Sequence, residues 1–376
     1  LIFAVFVYIC YKYIWPPILS TMEERENKMS EVLSNNGGKL YMIGHHQSHA
    51  ANAFFSSNFD EALIITIDGG GQDNDGNGNY ITTFTMYQGK ENKINKIMSL
   101  SSDFNMGAFW SNCTEKIFGL SSGLPGGNQA GTVMGMSALG TPKYIDKFNG
   151  KVNFNLLRKM AQESEQTMFD LASSLQKYTE NTIKNIIDPY IQKYQPKNIC
   201  LSGGVSLNCV MTGEFTKWYP NINFYADPIP YDGGLCLGAS RYLWHHILDN
   251  PRIEWKDNTT SYLGPTYDNE DVLEALNESK CNWVKTTDKE VIELLCDQKI
   301  ISVFGGGSES GRRALGNRSI LADPRNENMK DIINEKVKHR QWFRPFAPSI
   351  LREEVKNWFE HDIDSPYMSF VLKFKE

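Results

Sequence analysis

The sequence predicts an α/β protein built on a mixed sheet, and three observations carry that expectation. Ala62-Leu63-Ile64-Ile65-Thr66-Ile67 is a continuous apolar run, the pattern of a strand covered on both faces, and it ends in Asp68-Gly69-Gly70-Gly71. A second strand-and-glycine unit, Asn198–Leu201 into Ser202-Gly203-Gly204, follows much later in the chain. Between them, Tyr80–Tyr87 and Ile94–Leu100 alternate apolar and polar residues as antiparallel strands do, so both pairing directions are expected in one sheet.

Taken in order, Leu1 to Cys10 is wholly apolar or aromatic. It is shorter than the roughly 20 residues of a membrane span and lacks the charged lead of a signal peptide, so it reads as a buried strand or helix. Because the chain opens on Leu rather than Met, we expect a fragment. Ser20-Thr21 with Glu23-Glu24 reads as a capped helix start, stopped by Asn35-Asn36-Gly37-Gly38, and Lys39–Ile43 as a short strand leading to Gly44-His45-His46-Gln47-Ser48-His49. If Gln47–Phe54 is helical, His45 and His49 project from one face, which can hold a metal; read alone, such a pair is equally a surface or core pair. Asp68 at a strand end, with three glycines behind it, suits metal or phosphate binding or an ordinary turn.

Gln72–Asn79 reads as a polar loop, Met106–Phe118 as a helix, and Gly119–Gly140 as loop. Apolar residues from Met168 to Tyr194 recur near 3.6 spacing, giving a long helix broken or kinked at Pro189. Ser202-Gly203-Gly204 leads towards Asn208 and a helix, which directs N–H groups at an anion or makes a tight turn. Ile222–Ala226 is a further strand, and Asp232-Gly233-Gly234 opens a helix to about His246. Two such units, each with an aspartate at hand, suggest two facing lobes closed on a phosphate-bearing ligand. Residues 251–262 are polar and aperiodic, a linker between a domain over 1–250 and another over 263–376. In the latter, Val272–Leu276 and Glu290–Asp297 read as helices and Ile300–Phe304 as a strand. Arg312, Arg313, Arg318 and Arg325 follow among glycines, with Lys336, Lys338, Arg340 and Arg344 beyond. These form either a solvated loop or, between strands, an anion clamp.

Composition excludes some classes. The net charge of −6, without a basic run, argues against a nucleic-acid-binding protein. Seven cysteines without a C-x-x-C pair argue against a disulfide framework and favour a reducing compartment, hence the cytoplasm.

Together, HHQSHAANAFF at 45–55, FDEALIITIDGGG at 59–71, VMGMSALG at 133–140, LSGGVSLNCV at 201–210, DGGLCLGA at 232–239, RALGNRSILADPR at 313–325 and WFRPFAPSIL at 342–351 resemble the NodU/CmcH-type O-carbamoyltransferases, the nodulation and antibiotic-tailoring family. The resemblance runs from Lys39 to Lys375. It implies an amino domain of the actin/sugar-kinase/heat-shock ATPase type, followed by a partial YrdC-like α/β domain. It further implies ATP and carbamoyl phosphate as co-substrates, joined into carbamoyl-adenylate, and a hydroxyl-bearing small molecule or glycan as acceptor. By motif, the metal ligands fall on His45, His49, Asp68 and Asp232. Nucleotide contacts fall on Gly69, Gly70, Gly71, Ser202, Gly203, Gly204, Asn208, Gly233 and Gly234. Arg313, Asn317, Arg318, Lys338 and Arg344 fall on the carbamoyl phosphate and adenylate site.

Two imidazoles and two carboxylates suit a borderline divalent ion such as iron, manganese or zinc, and arginines suit a phosphate leaving group. His45 or His46 can instead take the acceptor's proton. The chain departs from the family pattern at Gly307, Ser310 and Arg312, where the family carries Arg, Phe and Pro, and it lacks the family's first hairpin and last motifs. Two other readings therefore stand beside the first: a threonylcarbamoyl-type tRNA-modifying enzyme, and a degenerate ATP-binding protein. No membrane partner is expected, and a homodimer stays open.

Overall fold

A computed structural model of the chain describes residues 39–74, 79–122, 127–254, 259–279 and 281–375. The elements expected at Leu1–Cys10 and after Ser20 lie outside them. The chain forms two compact units, residues 1–43 and 44–376. In the first, residues 39–43 adopt no regular secondary structure, so the short strand expected there is not formed.

The second unit is organised on a five-stranded mixed sheet. Its strands are β1 (Glu61–Asn74), β2 (Asn79–Lys90), β3 (Lys93–Ser101), β4 (Asn198–Ser202) and β5 (Asn223–Ala226), in the order β3-β2-β1-β4-β5. β1 runs antiparallel to β2, with Ile65 opposite Met86, and parallel to β4, with Ile65 opposite Leu201. β5 continues the parallel half. The apolar run 62–67 is therefore the middle strand, buried on both faces as its composition demands. Leu63, Ile65 and Ile67 enter the main core with Met106, Leu171, Leu175 and Phe215. Thr66, on the alternate face, meets His46 of helix α1 (His45–Ser56).

Three local expectations are corrected. β1 does not stop at Asp68: it continues through the glycines to Asn74, pairing Gln72 with Ile81, after a slip in register between Ile67 and Gly71. The glycines thus form a bulge inside a hairpin, which turns Asp68 out of the ladder while pairing resumes beyond it. The expected loop Gln72–Asn79 is correspondingly strand at both ends, with residues 75–78 outside the described set. Within the expected loop Gly119–Gly140, Ala130–Ser137 forms helix α3, anchored by buried Val133 and Met136. The long helix, α5 (Glu165–Tyr194), continues past Pro189, so of the expected break or kink the break does not occur. It starts where Ser164 accepts from Thr167 N and ends at Gln195 in the left-handed region; buried Ile183 and Ile187 hold the turns preceding the proline.

The remaining helices of this part are α2 (Met106–Lys116), α4 (Phe154–Glu163), α6 (Cys209–Trp218) and α7 (Leu235–Arg241). Arg252 reaches back over the Phe54 ring and donates to the carbonyls of Phe54 (2.8 Å) and Ser57 (2.7 Å), closing the carboxyl end of α1. The carboxyl segment holds α8 (Asn269–Glu278), α9 (Asp288–Cys296), and the antiparallel pair β6 (Ile301–Phe304) and β7 (Arg318–Leu321). It rests on the first part through Val371 N to Cys209 O (3.0 Å) and through Phe343 edge-on to Phe169. Among the described residues no helix is long and apolar enough to cross a membrane.

Candidate functional site

The amino end of α1 is set by side chains. Gln47 Oε1 accepts from Gly44 N (2.9 Å), and Asp73, reaching over from β1, accepts from His46 N (3.0 Å). This orientation aims His45 and His49, one turn apart, at the β1 bulge. His45 Nε2 lies 2.7 Å from Asp68 Oδ2 and 3.2 Å from His49 Nε2; His49 Nε2 lies 3.4 Å from the same carboxylate oxygen. Asp232, in the turn Asp232–Gly234 ahead of α7, brings Oδ1 to 3.7 Å from His45 Nε2 and 3.6 Å from His49 Nε2. The four ligand atoms all lie within 4.8 Å of one another.

The glycines expected to cradle a cofactor serve this geometry. A Cβ on Gly71 would stand 1.9 Å from the His45 ring, so the bulge must be bare there. Gly203 takes a φ of +86°, where a Cβ would meet the Ile67 carbonyl, and Gly204 N donates to Asp68 Oδ1 (3.0 Å). Gly69 receives the amino end of α2, Gly70 adopts positive φ, and Gly233 and Gly234 pack on Tyr231 and the Ile229 carbonyl.

The electrostatics follow from burial around converging charge. Burial opposes a charge on His49, but Asp232 and Asp68 outweigh it and push the imidazole up to about 9. Asp68 is likewise penalised by burial, yet hydrogen bonds from His45 and His49 hold it well below the usual carboxylate range. His46 is the reverse: burial first, then neighbouring His49 and His45, push it down to about 3. Its Nε2 donates to Thr82 O (3.0 Å) and its Nδ1 accepts from Thr66 Oγ1 (2.6 Å), which fixes a neutral tautomer with both nitrogens used.

The four groups fit a divalent ion. Ligand atoms on a shell of about 2.1 Å radius stand roughly 3.0–3.5 Å apart, and the separations made by the two imidazole nitrogens run from 2.7 to 3.7 Å around that span. Two imidazole nitrogens and two carboxylate oxygens suit iron, manganese or zinc better than calcium. Among the described residues His49 Nδ1 is buried with no hydrogen-bond partner, so among them the ring is steered by its packing and by Nε2.

The remaining expected residues are placed elsewhere. Ser202 is fully buried and its hydroxyl donates to Asp227. Asn208 caps α6 through Oδ1 to Met211 N (3.0 Å) and donates to Gln176 (2.8 Å). Arg313 donates to the carbonyls of Leu207 (2.8 Å), Tyr367 and Met368, bridging the two parts of the unit. Arg318 donates to Gly305 O (2.7 Å) and Asn317 O (2.8 Å) and lies 3.7 Å over the Phe304 ring. Asn317 holds Gly307 O (2.7 Å). Arg344 is half-buried and Lys338 exposed. None of these bonds reaches the four ligands, although Arg312 stacks on Tyr231, the neighbour of Asp232.

Sequence reading missed two groups. Asp73 caps the histidine helix, and Glu309 Oε1 accepts from the N–H groups of Leu315 (2.7 Å), Asn317 (3.0 Å) and Arg318 (3.1 Å), organising the arginine loop from within. The signal for Glu309 was present, an isolated acid among arginines and glycines.

Two family models match the chain. The one described as carbamoyltransferase N-terminus covers residues 21–154 and 144–241, and the one described as carbamoyltransferase C-terminus covers 292–376. An uncharacterized protein of Synechocystis is 32% identical, over 88% of this chain and 58% of its own length. One of Methanocaldococcus jannaschii is 31% identical over 94% of this chain and 70% of its own. Nodulation protein NolNO of Sinorhizobium fredii is 28% identical over 90% of this chain and 52% of its own. The chain therefore spans well short of the full length of these relatives. Among solved structures, HypF of T. kodakarensis aligns with 57% of this chain and 38% of its own at 16% identity, with a TM-score of 0.38.

Proposed function

The chain belongs to the carbamoyltransferase family, and from that premise we propose that it transfers a carbamoyl group from carbamoyl phosphate to the hydroxyl of a small-molecule or glycan acceptor. In this reading carbamoyl phosphate loses its phosphate to water, giving carbamate and inorganic phosphate, and the carbamate oxygen then bonds to the α-phosphorus of ATP as pyrophosphate leaves, giving carbamoyl-adenylate. The acceptor oxygen then bonds to the carbamoyl carbon, the bond to the AMP phosphate oxygen breaks, and the hydroxyl proton passes to a base. The observation that supports it most is the convergence of His45, His49, Asp68 and Asp232 beside two glycine turns. A divalent ion held by these four would bind phosphate oxygens and polarise the carbamoyl carbonyl. Gly204 N–H fixes the Asp68 carboxylate, and the β1 bulge keeps His45 seated. Of the two histidines considered as base, His45 keeps an exposed edge, whereas both nitrogens of His46 are committed to Thr66 and Thr82. The scattered cysteines, without a C-x-x-C pair, fit a reducing compartment, which is why we place the reaction in the cytoplasm.

We propose the domain division of 1–250, a linker over 251–262 and 263–376, with an actin-like first domain and a YrdC-like second. A second reading, a nucleotide-holding protein that makes no adenylate, draws support from Arg313 and Arg318, whose guanidinium groups are taken up by backbone carbonyls. The two readings separate on pyrophosphate release from ATP. We expect release that depends on carbamoyl phosphate, and a His49→Ala protein that has lost its divalent metal. Release independent of carbamoyl phosphate in the full-length protein would exclude the first reading, and unchanged metal content in His49→Ala would exclude that ligand.

A further inference from the structure

We infer that Asp227, a buried carboxylate outside the ligand set, is the positioning residue that holds the three ligand-bearing segments in register. The inference rests on the metal reading above. Asp227 is 2% exposed and sits directly after β5, at Ala226. Its Oδ2 accepts from Asn52 Nδ2 (2.6 Å) and from Ser202 Oγ (3.2 Å), and its Oδ1 accepts from Ile229 N (2.9 Å).

Each of these donors belongs to a different arm of the site. Asn52 continues the face of α1 that carries His45 and His49, one turn further on. Ser202 ends β4 and begins the turn whose Gly204 N–H holds Asp68. Ile229 begins the segment that leads to Asp232, and its carbonyl packs against Gly234 so tightly that a Cβ there would stand 2.3 Å away. One carboxylate therefore fixes the histidine helix, the Asp68 turn and the Asp232 turn together, while touching none of the four ligands.

The residue type is dictated by the donors. An ionised carboxylate is acceptor-only and can take all three, whereas an amide would set its N–H groups against the Asn52 amide nitrogen or the Ile229 N–H. Its buried charge is balanced through Asn52. Arg241, 8% exposed, donates to Asn52 O (3.4 Å), Asn52 Oδ1 and Ser56 Oγ, so the Asn52 amide stands between anion and cation with both ends used. The stripe His45, His49, Asn52, Ser56 on one helix face thus joins the ligands at one end to this anchored pair at the other.

Cobalt(II) binding to the full chain tests the inference, because the d–d absorption of the ion reports ligand geometry independently of activity. Asp227→Asn is expected to weaken Co2+ binding about 10- to 100-fold, the usual effect of an outer partner, and to change the absorption bands. The exchanged pair N52D/D227N places the carboxylate at position 52, where it accepts from Arg241 and from the amide at position 227, with Ser202 turning its hydroxyl to accept, and is expected to recover most of the affinity and the wild-type bands. Asn52→Ala is read in the same way should Asp227→Asn not fold. An Asp227→Asn protein that is destabilised to urea yet binds Co2+ with wild-type affinity and spectrum would overturn the inference and leave the metal centre standing. A wild-type protein that binds no Co2+ would remove both.

Discussion

Residues 44–250 bury whole faces of their elements, whereas residues 259–375 are ordered with very little buried apolar surface. In the first part β1, α1 and α5 contribute fully buried Ile64, Ile65, Phe54, Leu171 and Leu175. In the second, the buried apolar side chains among the described residues are Met329, Ile333, Val355, Phe359 and Tyr367, and neither α8 nor α9 buries a single residue. Yet α8 and α9 each begin with a complete capping box, on Asp268 with Asp271 and on Thr287 with Glu290. Local signals suffice to shape a helix, but they do not stabilise it as packing does. Much of what holds the second part is polar: Glu309 inside the arginine loop, and Arg313 pinned to carbonyls on both sides. The first part therefore sets His45, His49, Asp68 and Asp232 on a packed core, and the second presents charge on a scaffold of backbone hydrogen bonds.

Truncation in the first core should have the largest effect on this contrast. Leu175→Ala leaves a cavity in the core cluster that also holds Leu171 and Phe215, at a cost of about 2–5 kcal/mol, read from the urea midpoint. His46 supplies the next effect. Its native value is near 3 and its ordinary value is 6.5, so between those pH values the unfolded chain takes up a proton that the folded chain refuses. Its contribution is complete above about 6.5 and is lost as pH falls, roughly 2 kcal/mol between pH 7 and pH 5. The difference in urea stability between wild type and His46→Gln at those two pH values isolates it. His49, raised to about 9, acts oppositely: its contribution in the metal-free protein is present below about 6.5 and lost as pH rises to 9. The smallest effect belongs to the second part, where Leu273 is exposed; Leu273→Ala should change stability by less than about 0.5 kcal/mol. A cost near that of Leu175→Ala would show that α8 is covered in solution and would erase the contrast.

Periodicity made much of the fold legible before any coordinates. The run 62–67, the alternation at 80–87 and 94–100, and the stripe from Met168 to Tyr194 each follow from which faces meet the core. The site was legible where motif and spacing coincide: His45 and His49 share a helix face, and Asp68 and Asp232 each adjoin glycines. Local cues misled where context overrode them. A glycine run reads as a turn, but β2 supplies partners beyond it, and the strand runs on to Asn74. Nor does any local signal announce that Arg313 and Arg318 donate to the carbonyls of Leu207 and Gly305.

The sequence by itself determined the main strands and helices and the kinds of donor atom, because hydrophobic period and side-chain chemistry are properties of neighbours along the chain. Only the tertiary structure decided that Asn52 and Asp227, 175 residues apart, share a hydrogen bond. It likewise decided that His46 is committed to the core while His45 faces the bulge, since a side chain's role depends on which distant groups desolvate and bond it.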